Sequence, residues 1–367
     1  MAHLMPNLVH WLHLHADRLD ESNELAESVL PALAADQLLA VGVPTEYGGA
    51  GGDVRDAIEA IAKVAELSLT TAFVFWGQRC FIEFMLQSPN RALAERRLPA
   101  LLAGTQAGAS GLSNAMKFLS GIEQLQITAA RAGDGLLVDG ALAWVTNLRK
   151  AGFVAAAAVA PDDGAPPVIV AFDSQLAGVQ RNADLDLIAL RASNTASVKL
   201  TQVQIPAADI ISDNAPAWLP QVRPACLGMQ CGMSIGLARA SLAQAALISQ
   251  GSQGRHNALT PRIEALQATL RTTTATLLAG VHDGRFVKEA PAMFRLRIQL
   301  AELVQQALML ELQAMGGRAY LSAQQQGFAR RWRESAFIPI VTPSLTQLQS
   351  ALQQFDSQLA AKAAGQP

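Results

Sequence analysis

The sequence has little charge imbalance and no long apolar run. These two absences argue against a nucleic-acid-binding protein and against a membrane-spanning one. The 28 basic residues nearly balance the 30 acidic ones, and no block of like charge occurs, which argues against a nucleic-acid-binding or membrane-surface face. Half of the residues are hydrophobic, but no uninterrupted apolar run reaches the roughly 18 residues of a membrane span. The chain therefore predicts a water-soluble protein whose partner is a small molecule or another protein.

Cysteines and targeting signals are scarce as well. The three cysteines, Cys80, Cys226 and Cys231, cannot form a disulfide framework, and their mostly apolar neighbours predict buried, reduced thiols. The N-terminus has no basic segment leading into an apolar core and a cleavage site, so no secretion signal is predicted. A cytoplasmic location is the resulting expectation.

The hydrophobic pattern divides the chain into three segments. Apolar residues follow a helical period from Leu19 to about Leu102, including a third helix through "LTTAFVFWGQRCFIEFML". Short β-rich runs separated by Gly, Asp and Pro follow, and then the helical period returns in long segments. We therefore predict a multidomain α+β protein with a helical domain at 1–103, a β-barrel or sheet domain at 104–212 and a helical bundle at 213–367.

The last segment has the pattern of an up-and-down bundle. Its four helical stretches are joined by short connections such as "AGVHDGRF". Small residues recur early in it, in "GMQCGMSIG", and small residues permit close approach of helices. A homo-oligomer interface on these helices is a reasonable expectation.

Four motifs give the chain a family resemblance across nearly its whole length. They are "GVPTEYGGAGG" at 42–52, the strand pair "LLVDGALAWVTNLRKAGFVAAAAV", the segment "LRASNTASVKLTQVQIPAADII" and the late element "QAMGGRAYL". In this order they resemble the acyl-CoA dehydrogenase family. The resemblance implies a helical N-terminal domain, a middle β domain and a C-terminal four-helix bundle, with FAD in the crevice between the last two and a homotetramer or homodimer as the assembly.

The resemblance also implies which residues contact the flavin ring. Trp144 would lie against the ring, Thr146 would reach its N5 edge, and Leu112 and Ser113 would lie beside the pyrimidine edge, because "GLSNAM" aligns with a Leu-Thr-Glu-Pro turn. A flat ring with hydrogen-bonding edges needs an apolar wall and a few placed donors. Without the other motifs, Trp144 would be interpreted as an ordinary core aromatic.

A second group of residues would hold the far end of the cofactor. Gln313, Gly316 and Gly317 match the element that binds the adenosine or pyrophosphate, often across a subunit boundary. Glycines allow backbone amides to approach phosphate closely. In isolation, the two glycines would rather indicate a helix C-cap and turn.

The catalytic base of the family is missing. Most members place a Glu shortly after a stretch that "RESA" at 333–336 resembles, and the alignment puts Thr342 or Pro343 there. A minority carries the Glu at the start of the first bundle helix, near Cys226, and no acid occurs from Arg223 through Gln253. An acyl-CoA dehydrogenase needs that carboxylate to remove the α-proton of its thioester. The catalytic residues are therefore unknown from sequence.

Further departures concern the substrate and the cofactor. "NAMKFLSG" replaces the segment that helps seat acyl-CoA, and the family's Arg-x-x-Phe-Gly phosphate contact has no clear match near "GSQGRHNALTPR". The first departure weakens the assignment of an acyl-CoA thioester as the substrate. The second weakens the assignment of FAD, rather than FMN, as the cofactor. We expect an apolar substrate pocket, formed by the side chains of Ile338, Ile340, Val341 and Leu345.

Other ionisable candidates carry less weight. Glu83 and Gln78 lie where some relatives place substrate-site groups, but a surface Glu is the favoured interpretation. His10, His13 and His15 indicate a solvated helix, so no metal site is predicted. The favoured role of the arginines in the late "RRWRES" stretch is helix-end ion pairing rather than phosphate contact; they are Arg330, Arg331 and Arg333.

Three functions remain open. The leading one is an acyl-CoA dehydrogenase-like flavin oxidoreductase that acts on CH–CH groups. Its expected cofactor is FAD, with FMN as the alternative, and its expected substrate is a small molecule, of which acyl-CoA is one candidate. Its expected protein partner is an electron-transfer flavoprotein or a flavin reductase. The second is a flavin-dependent monooxygenase resembling dibenzothiophene monooxygenase, which needs no α-proton base. The third is a non-catalytic family member that serves as a binding or structural subunit.

Overall fold

The computed structural model of the chain describes residues 4–119, 121, 123–250, 258–321 and 327–363. The whole of the "GSQGRHN" stretch, at 251–257, where a phosphate contact was sought, lies outside these residues. The order of elements is helices, then strands, then helices, as the sequence predicts.

The N-terminal region is built from five helices, and the fourth is its central element. They are α1 (Pro6–Glu21), α2 (Ala26–Ala35), α3 (Val54–Leu67), α4 (Leu69–Leu86) and α5 (Arg91–Leu102). A capping box starts α3, because the Asp53 carboxylate accepts from the Arg55 amide and the Asp56 carboxylate accepts from the Asp53 amide. Nearly all of α4 is buried, which explains why its sequence is apolar on all sides. The predicted third helix is confirmed.

The middle region is a sheet with one helix beside it. Its elements are β1 (Ala107–Ser110), α6 (Ser113–Leu119), β2 (Ile127–Ala132), β3 (Gly135–Val145), β4 (Phe153–Pro161), β5 (Val168–Asp173), β6 (Val179–Asp184), β7 (Ala196–Ile205) and β8 (Ile210–Ser212). The strand order is β6-β7-β3-β2-β4-β5-β8, and β1 adds to β4 in parallel. The sequence did not predict α6: the stretch aligned with a turn instead enters a helix at Ser113.

The described residues of the C-terminal region form four long α-helices and two short ones. They are α7 (Ala215–Gln250), α8 (Thr260–His282), α9 (Arg285–Lys288), α10 (Ala290–Met315), α11 (Phe328–Ser335) and α12 (Leu345–Ala363). Among the described helices, α7 alone is long and apolar enough to cross a membrane, but 61% of its apolar window is buried within this fold. That burial is typical of a core helix, and α7 packs against α3, α8 and α10.

The small residues of α7 serve contacts within the chain. A Cβ added at Gly232 would lie 2.7 Å from the carbonyl oxygen of Ile58, and one at Gly236 would lie 2.0 Å from that of Ala62. Both carbonyls belong to α3. These two glycines let α7 approach α3 within the chain, and a homo-oligomer interface on the C-terminal helices stays a prediction.

The changes of secondary structure fall near the predicted boundaries. Helix gives way to strand between Leu102 and Ala107, and strand gives way to helix between Ser212 and Ala215. The three-region architecture is confirmed, whereas the domain limits of 1–103, 104–212 and 213–367 stay a prediction.

Candidate functional site

A cavity of about 660 Å³ lies between α4, the edge of the sheet, α7 and the segment that precedes α12. Its volume is in the range of about 300–1,000 Å³ that small-molecule and cofactor sites occupy. The walls are mainly apolar, and the large side chains that line them are Phe73, Trp76, Phe84, Leu227, Phe337, Ile340 and Val341. The rings of Phe73 and Phe337 meet across the cavity wall with centroids 4.5 Å apart.

Four of the predicted flavin-binding residues line this cavity together: Leu112, Ser113, Trp144 and Thr146. The sheet brings them together, because β1 runs beside β4 and ends at Ser110, so the chain leaves the sheet at the cavity. Strand β3 carries Trp144 and ends one residue before Thr146. The Trp144 side chain is 61% exposed, which is unusual for so large an aromatic group and leaves its face open to a ligand. Contact of these residues with a flavin stays a prediction.

The Thr146 hydroxyl belongs to a chain of buried hydroxyls. Its Oγ1 atom lies 3.0 Å from Oγ1 of Thr195, which lies 2.7 Å from Oγ of Ser193. A hydroxyl donates one hydrogen bond and accepts two. Because Thr195 can donate to Thr146, the proton of Thr146 can be directed into the cavity, towards an acceptor such as a ring nitrogen.

Gln78 fixes the backbone behind Thr146. Its side-chain oxygen accepts from the Gly108 amide at 2.7 Å and from Asn147 Nδ2 at 2.8 Å, while its Nε2 donates to two backbone carbonyls. Asn147 adopts a left-handed conformation, with φ of 65°, which Asn tolerates better than most residues. Gln78 is fully buried and does not line the cavity, so its role is to join α4 to the sheet.

The remaining predicted cofactor residues lie elsewhere. Gln313, Gly316 and Gly317 are not among the cavity-lining residues. Gln313 accepts a hydrogen bond of 3.1 Å from Arg262 Nη1, and a Cβ added at either glycine would meet nothing within 4 Å. Within a single chain, these three residues therefore do not lie at the ring pocket. That they bind the cofactor of a neighbouring subunit stays a prediction.

The positions at which relatives carry a carboxylate do face the cavity. Thr342, Pro343 and Cys226 all line it. Helices α7 and α10 hold the segment around Thr342. Gln230 Nε2, on α7, donates to the Thr342 carbonyl at 2.9 Å. Arg297, on α10, donates both to the Gln230 side-chain oxygen at 2.9 Å and to the Ile338 carbonyl at 2.5 Å. Residues 335–355 contain no ionisable side chain, and most of the residues from Ala336 to Ser344 form one wall of the cavity.

That wall is apolar, but only two of its four predicted residues line the cavity. Ile340 and Val341 do so, whereas Ile338 and Leu345 do not. Ile338 is turned into the core, where it is 1% exposed.

Carboxylates are scarce in the lining. Among the described residues, the one carboxylate that lines the cavity is Asp186, whose side chain is 89% exposed and ion-paired with Arg191. The expectation of a surface Glu83 is wrong: Glu83 is 5% exposed, accepts a hydrogen bond of 2.5 Å from Gln87, and lies 4.0 Å from Arg79. It lies on α4 but does not line the cavity.

The thiols cannot replace a carboxylate. Burial and the adjacent Cys80 raise the pKa of the Cys226 thiol well above its usual range, and burial raises that of Cys231 to about 12. All three cysteines are buried and unbridged, as predicted. At neutral pH, Cys226 therefore presents a protonated thiol to the cavity.

The late arginines form ion pairs, as predicted. Arg330 contacts Asp17 at 2.8 Å, Arg331 pairs with Glu311, and Arg333 contacts Asp20 at 2.8 Å. They tie α11 to α1 and α10. Within the described residues no group of three or more His, Cys, Asp or Glu side chains is placed to hold a metal ion. His10 and His13 are exposed on α1.

Sequence reasoning missed two cations of the lining, Lys117 and Arg223. Lys117 lies on the unpredicted helix α6, so its position could not be foreseen. Arg223 lies one turn before Cys226 on α7, and that spacing could have placed it on the same face of the helix.

Comparison with known proteins agrees with the motif resemblance. Residues 11–105 match the family model of the acyl-CoA dehydrogenase N-terminal domain. The probable acyl-CoA dehydrogenase YngJ of Bacillus subtilis is 28% identical over 211 residues, which cover 54% of this chain and 53% of YngJ. The match thus spans about half the length of this curated relative. The resemblance drawn from the motifs is confirmed.

Solved structures confirm the fold. Butyryl-CoA dehydrogenase from Megasphaera elsdenii superposes with a TM-score of 0.76 at 18% identity, covering 95% of this chain and 94% of the other. KijD3, solved with FMN and a dTDP-sugar, gives 0.78 at 21% identity, with coverages of 98% and 91%. Dibenzothiophene monooxygenase TdsC from Paenibacillus sp. A11-2 gives 0.73 at 18% identity, with coverages of 95% and 95%.

Proposed function

We propose that this chain, which has the fold and the N-terminal domain of the acyl-CoA dehydrogenase family, is a flavin-dependent oxidoreductase whose chemistry does not use a carboxylate base. The observation that carries the proposal is the composition of one cavity. Four predicted flavin contacts meet there, and its described lining contains a single, solvent-exposed carboxylate. The proposal covers cofactor and reaction class and leaves the substrate unnamed.

The residues present suit a flavin ring. Trp144 offers an exposed aromatic face, and stacking on such a face stabilises flat ring systems. Thr146 supplies a hydroxyl that its neighbour Thr195 can orient, and Ser113 supplies another at the far side of the same cavity. A bound flavin would accept or deliver a hydride at the ring. FAD and FMN both remain candidates, because the residues predicted for the adenosine end are remote from this cavity within one chain.

The absence of a carboxylate base argues against ordinary dehydrogenation of saturated acyl-CoA. Oxidation of a thioester between its α- and β-carbons requires a base that takes the α-proton, and such assistance is worth about 10²–10⁴-fold in rate. Thr342 has no ionisable group, and the Cys226 thiol stays protonated. Apart from Asp186, which is solvent-exposed and paired with Arg191, the described lining therefore offers no carboxylate that could take this proton.

A flavin-dependent monooxygenase is the candidate that these observations favour among the family's activities. Its reaction consumes O₂ and a reduced flavin and needs no α-proton abstraction, and TdsC has the same fold. The apolar walls formed by Phe73, Trp76 and Phe337 suit an apolar or aromatic substrate. A flavin reductase would then be the partner, whereas a dehydrogenase would pass electrons to an electron-transfer flavoprotein.

A non-catalytic role is the competing proposal from another class. A scaffold has no chemical need for Ser113, Trp144 and Thr146 around one open cavity. The discriminating experiment is a titration of the purified protein with oxidised and with photoreduced FAD and FMN, followed by absorbance and fluorescence. Tight binding of either form supports the flavoenzyme, and preference for the reduced form supports the monooxygenase. Absence of binding in both forms supports the scaffold and overturns the proposal.

A further inference from the structure

Arg223 is the starting point of a second binding feature beside the flavin cavity. It lies on α7, about two turns after the helix begins at Ala215, and lines the main cavity. It also lines a side pocket of about 20 Å³, together with Lys117, Phe294 and Pro343. Arg223 and Lys117 therefore border the same two spaces.

The guanidinium of Arg223 has no anionic partner among the residues that the structure describes. It lies over the ring of Phe294, 5.3 Å from the ring centroid, and forms no ion pair or hydrogen bond with any residue in the described part of the chain. Burial lowers the pKa of Arg223, as expected for a cation taken from water without compensation. A guanidinium carries five N–H donors, and those of Arg223 are therefore available to a ligand that enters the cavity.

The other charged groups around the cavity are compensated. Arg333 pairs with Asp20 and Glu21, and Asp186 pairs with Arg191. This contrast singles out Arg223 among the ionic residues of the described lining.

Lys117 adds a second positive charge to the lining of the same two spaces. Its Nζ atom contacts Glu123 Oε1 at 2.7 Å, which uses one of the three ammonium donors. Lys117 is one helical turn after Ser113 on α6, so the predicted flavin-edge residue and the cation lie on one face of that helix.

We infer that Arg223 and Lys117 form a binding site for a phosphate ester at the edge of the cavity. An arginine fork and a lysine point charge are both well suited to phosphate oxygens, and a phosphate would compensate Arg223 while accepting from the remaining donors of Lys117. The phosphate could be carried by the flavin or by a nucleotide-bearing substrate. The identity of these two ligands rests on the proposed flavin-dependent function, whereas the anion site itself can be tested without flavin.

The first arm of the test uses inorganic pyrophosphate and the full-length protein without added flavin. We expect calorimetric binding that weakens as NaCl rises from 50 to 500 mM, because partly exposed charges are screened. Arg223→Gln should weaken binding by about 10–100-fold and Arg223→Lys by less, since hydrogen bonds between charged groups are the strong ones. The matched control is Arg295→Gln, which removes an arginine whose side chain is 56% exposed and paired with Asp356, and it should leave the affinity unchanged.

The second arm identifies the source of the phosphate. If Arg223→Gln weakens binding of FMN but not of riboflavin, the site holds the phosphate of the cofactor. If flavin affinity is unchanged but coenzyme A binds the flavin-loaded variant more weakly, the site holds the phosphate of a second ligand. Either outcome supports the site.

Two results would overturn the inference. One is a wild-type protein that shows no pyrophosphate binding at low salt, and the other is a folded Arg223→Gln variant with unchanged affinity for all four probes. Should that variant not fold, Lys117→Gln carries the same test, since its side chain is 29% exposed and its expected loss is about 3–10-fold. Failure of flavin binding with retained pyrophosphate binding would refute the proposed function and leave the anion site standing.

Discussion

The indole N–H of Trp76 donates a hydrogen bond of 3.0 Å to the backbone carbonyl of Cys226. This bond joins α4 to α7 at the cavity, and both residues line it. It holds a protonated thiol at one of the two positions where the resemblance leads us to expect a catalytic carboxylate. The other position is Thr342, which Gln230 fixes through its backbone. Both candidate base positions are thus rigidly placed and unable to take a proton.

Trp144 should be the main apolar contact of the flavin. Removing the ring in Trp144→Ala should weaken flavin binding by about tenfold, because stacking on an aromatic face is worth about 1–3 kcal/mol. Fluorescence titration measures the effect. Trp332→Ala is the control, since Trp332 is also partly exposed, at 45%, but does not line the cavity. If Trp144→Ala retains the wild-type affinity and spectrum, the ring pocket has been assigned to the wrong residues.

Gly236 should be intolerant of a side chain. A Cβ there would lie 2.0 Å from the Ala62 carbonyl oxygen, so Gly236→Ala must push α7 away from α3. Overpacking of this kind costs about 1–3 kcal/mol, measurable by urea unfolding. Gly317→Ala is the control and should stay within about 0.5 kcal/mol, because nothing lies within 4 Å of its added Cβ. Equal stabilities of the two variants would contradict the packing described.

Glu334 should make stability depend on pH. Burial raises its pKa to about 7, although its carboxylate accepts the Leu69 amide at 3.0 Å and lies 3.7 Å from Arg330. Because the folded pKa is above the ordinary value of 4.5, the stabilising contribution is complete below about pH 4.5 and is lost as pH rises through 7. The loss between pH 5 and 8 should be on the order of 1–3 kcal/mol.

The variant Glu334→Gln isolates that contribution. It should flatten the fall in unfolding free energy between pH 5 and 8, whereas Glu46→Gln, at an exposed position, should leave it as in the wild type. Burial also raises the pKa of Asp20, so Asp20 contributes a decrease in unfolding free energy with rising pH in the wild type and in both variants. An unchanged slope in Glu334→Gln would show that Glu334 is not the titrating group.

A homo-oligomer is expected through the end of α10 and the turn that follows it. Met309, Tyr320 and Leu321 are 44%, 89% and 50% exposed, which places large apolar side chains in water beside Gly316 and Gly317. Light scattering should give the mass of a dimer or tetramer, and Tyr320→Ser combined with Leu321→Ser should reduce it. A flavin-loaded monomer would rule out that "QAMGG" binds the cofactor of a neighbouring subunit.

The periodicity of apolar residues and the turn residues between them predicted the helices and strands whose formation depends mainly on local sequence. Helix α4 was predicted with the limits Leu69–Leu86 that the structure gives it, from the helical pattern of its apolar residues. The strands were found from β-rich runs between turns. Helix α6 was missed because seven residues, "SNAMKFL", carry too little periodicity to compete with an alignment to a turn.

Tertiary effects account for the other errors. Whether Glu83 is buried depends on Arg79 and on α7, which lies far away in the chain, so residue type alone favoured the surface. Glycine spacing in α7 indicated close helix packing correctly, but it could not say whether the partner was α3 or another subunit. The four residues predicted to contact the flavin ring were each named from a motif, and they line one cavity, whereas Arg223 belonged to no motif.

Anaerobic mixing of the flavin-loaded protein with a saturated acyl-CoA, followed at the flavin absorbance band, tests the central claim most directly. Because the one carboxylate of the described lining, Asp186, is solvent-exposed and ion-paired, reduction by butyryl-CoA or octanoyl-CoA should be absent, or slower than that of a base-containing acyl-CoA dehydrogenase by at least about 10²-fold. Dithionite should still bleach the band, which shows that the flavin is bound and reducible. Rapid bleaching by acyl-CoA that Glu83→Gln abolishes would contradict the account, because it would show that a carboxylate reaches the cavity and performs the proton abstraction.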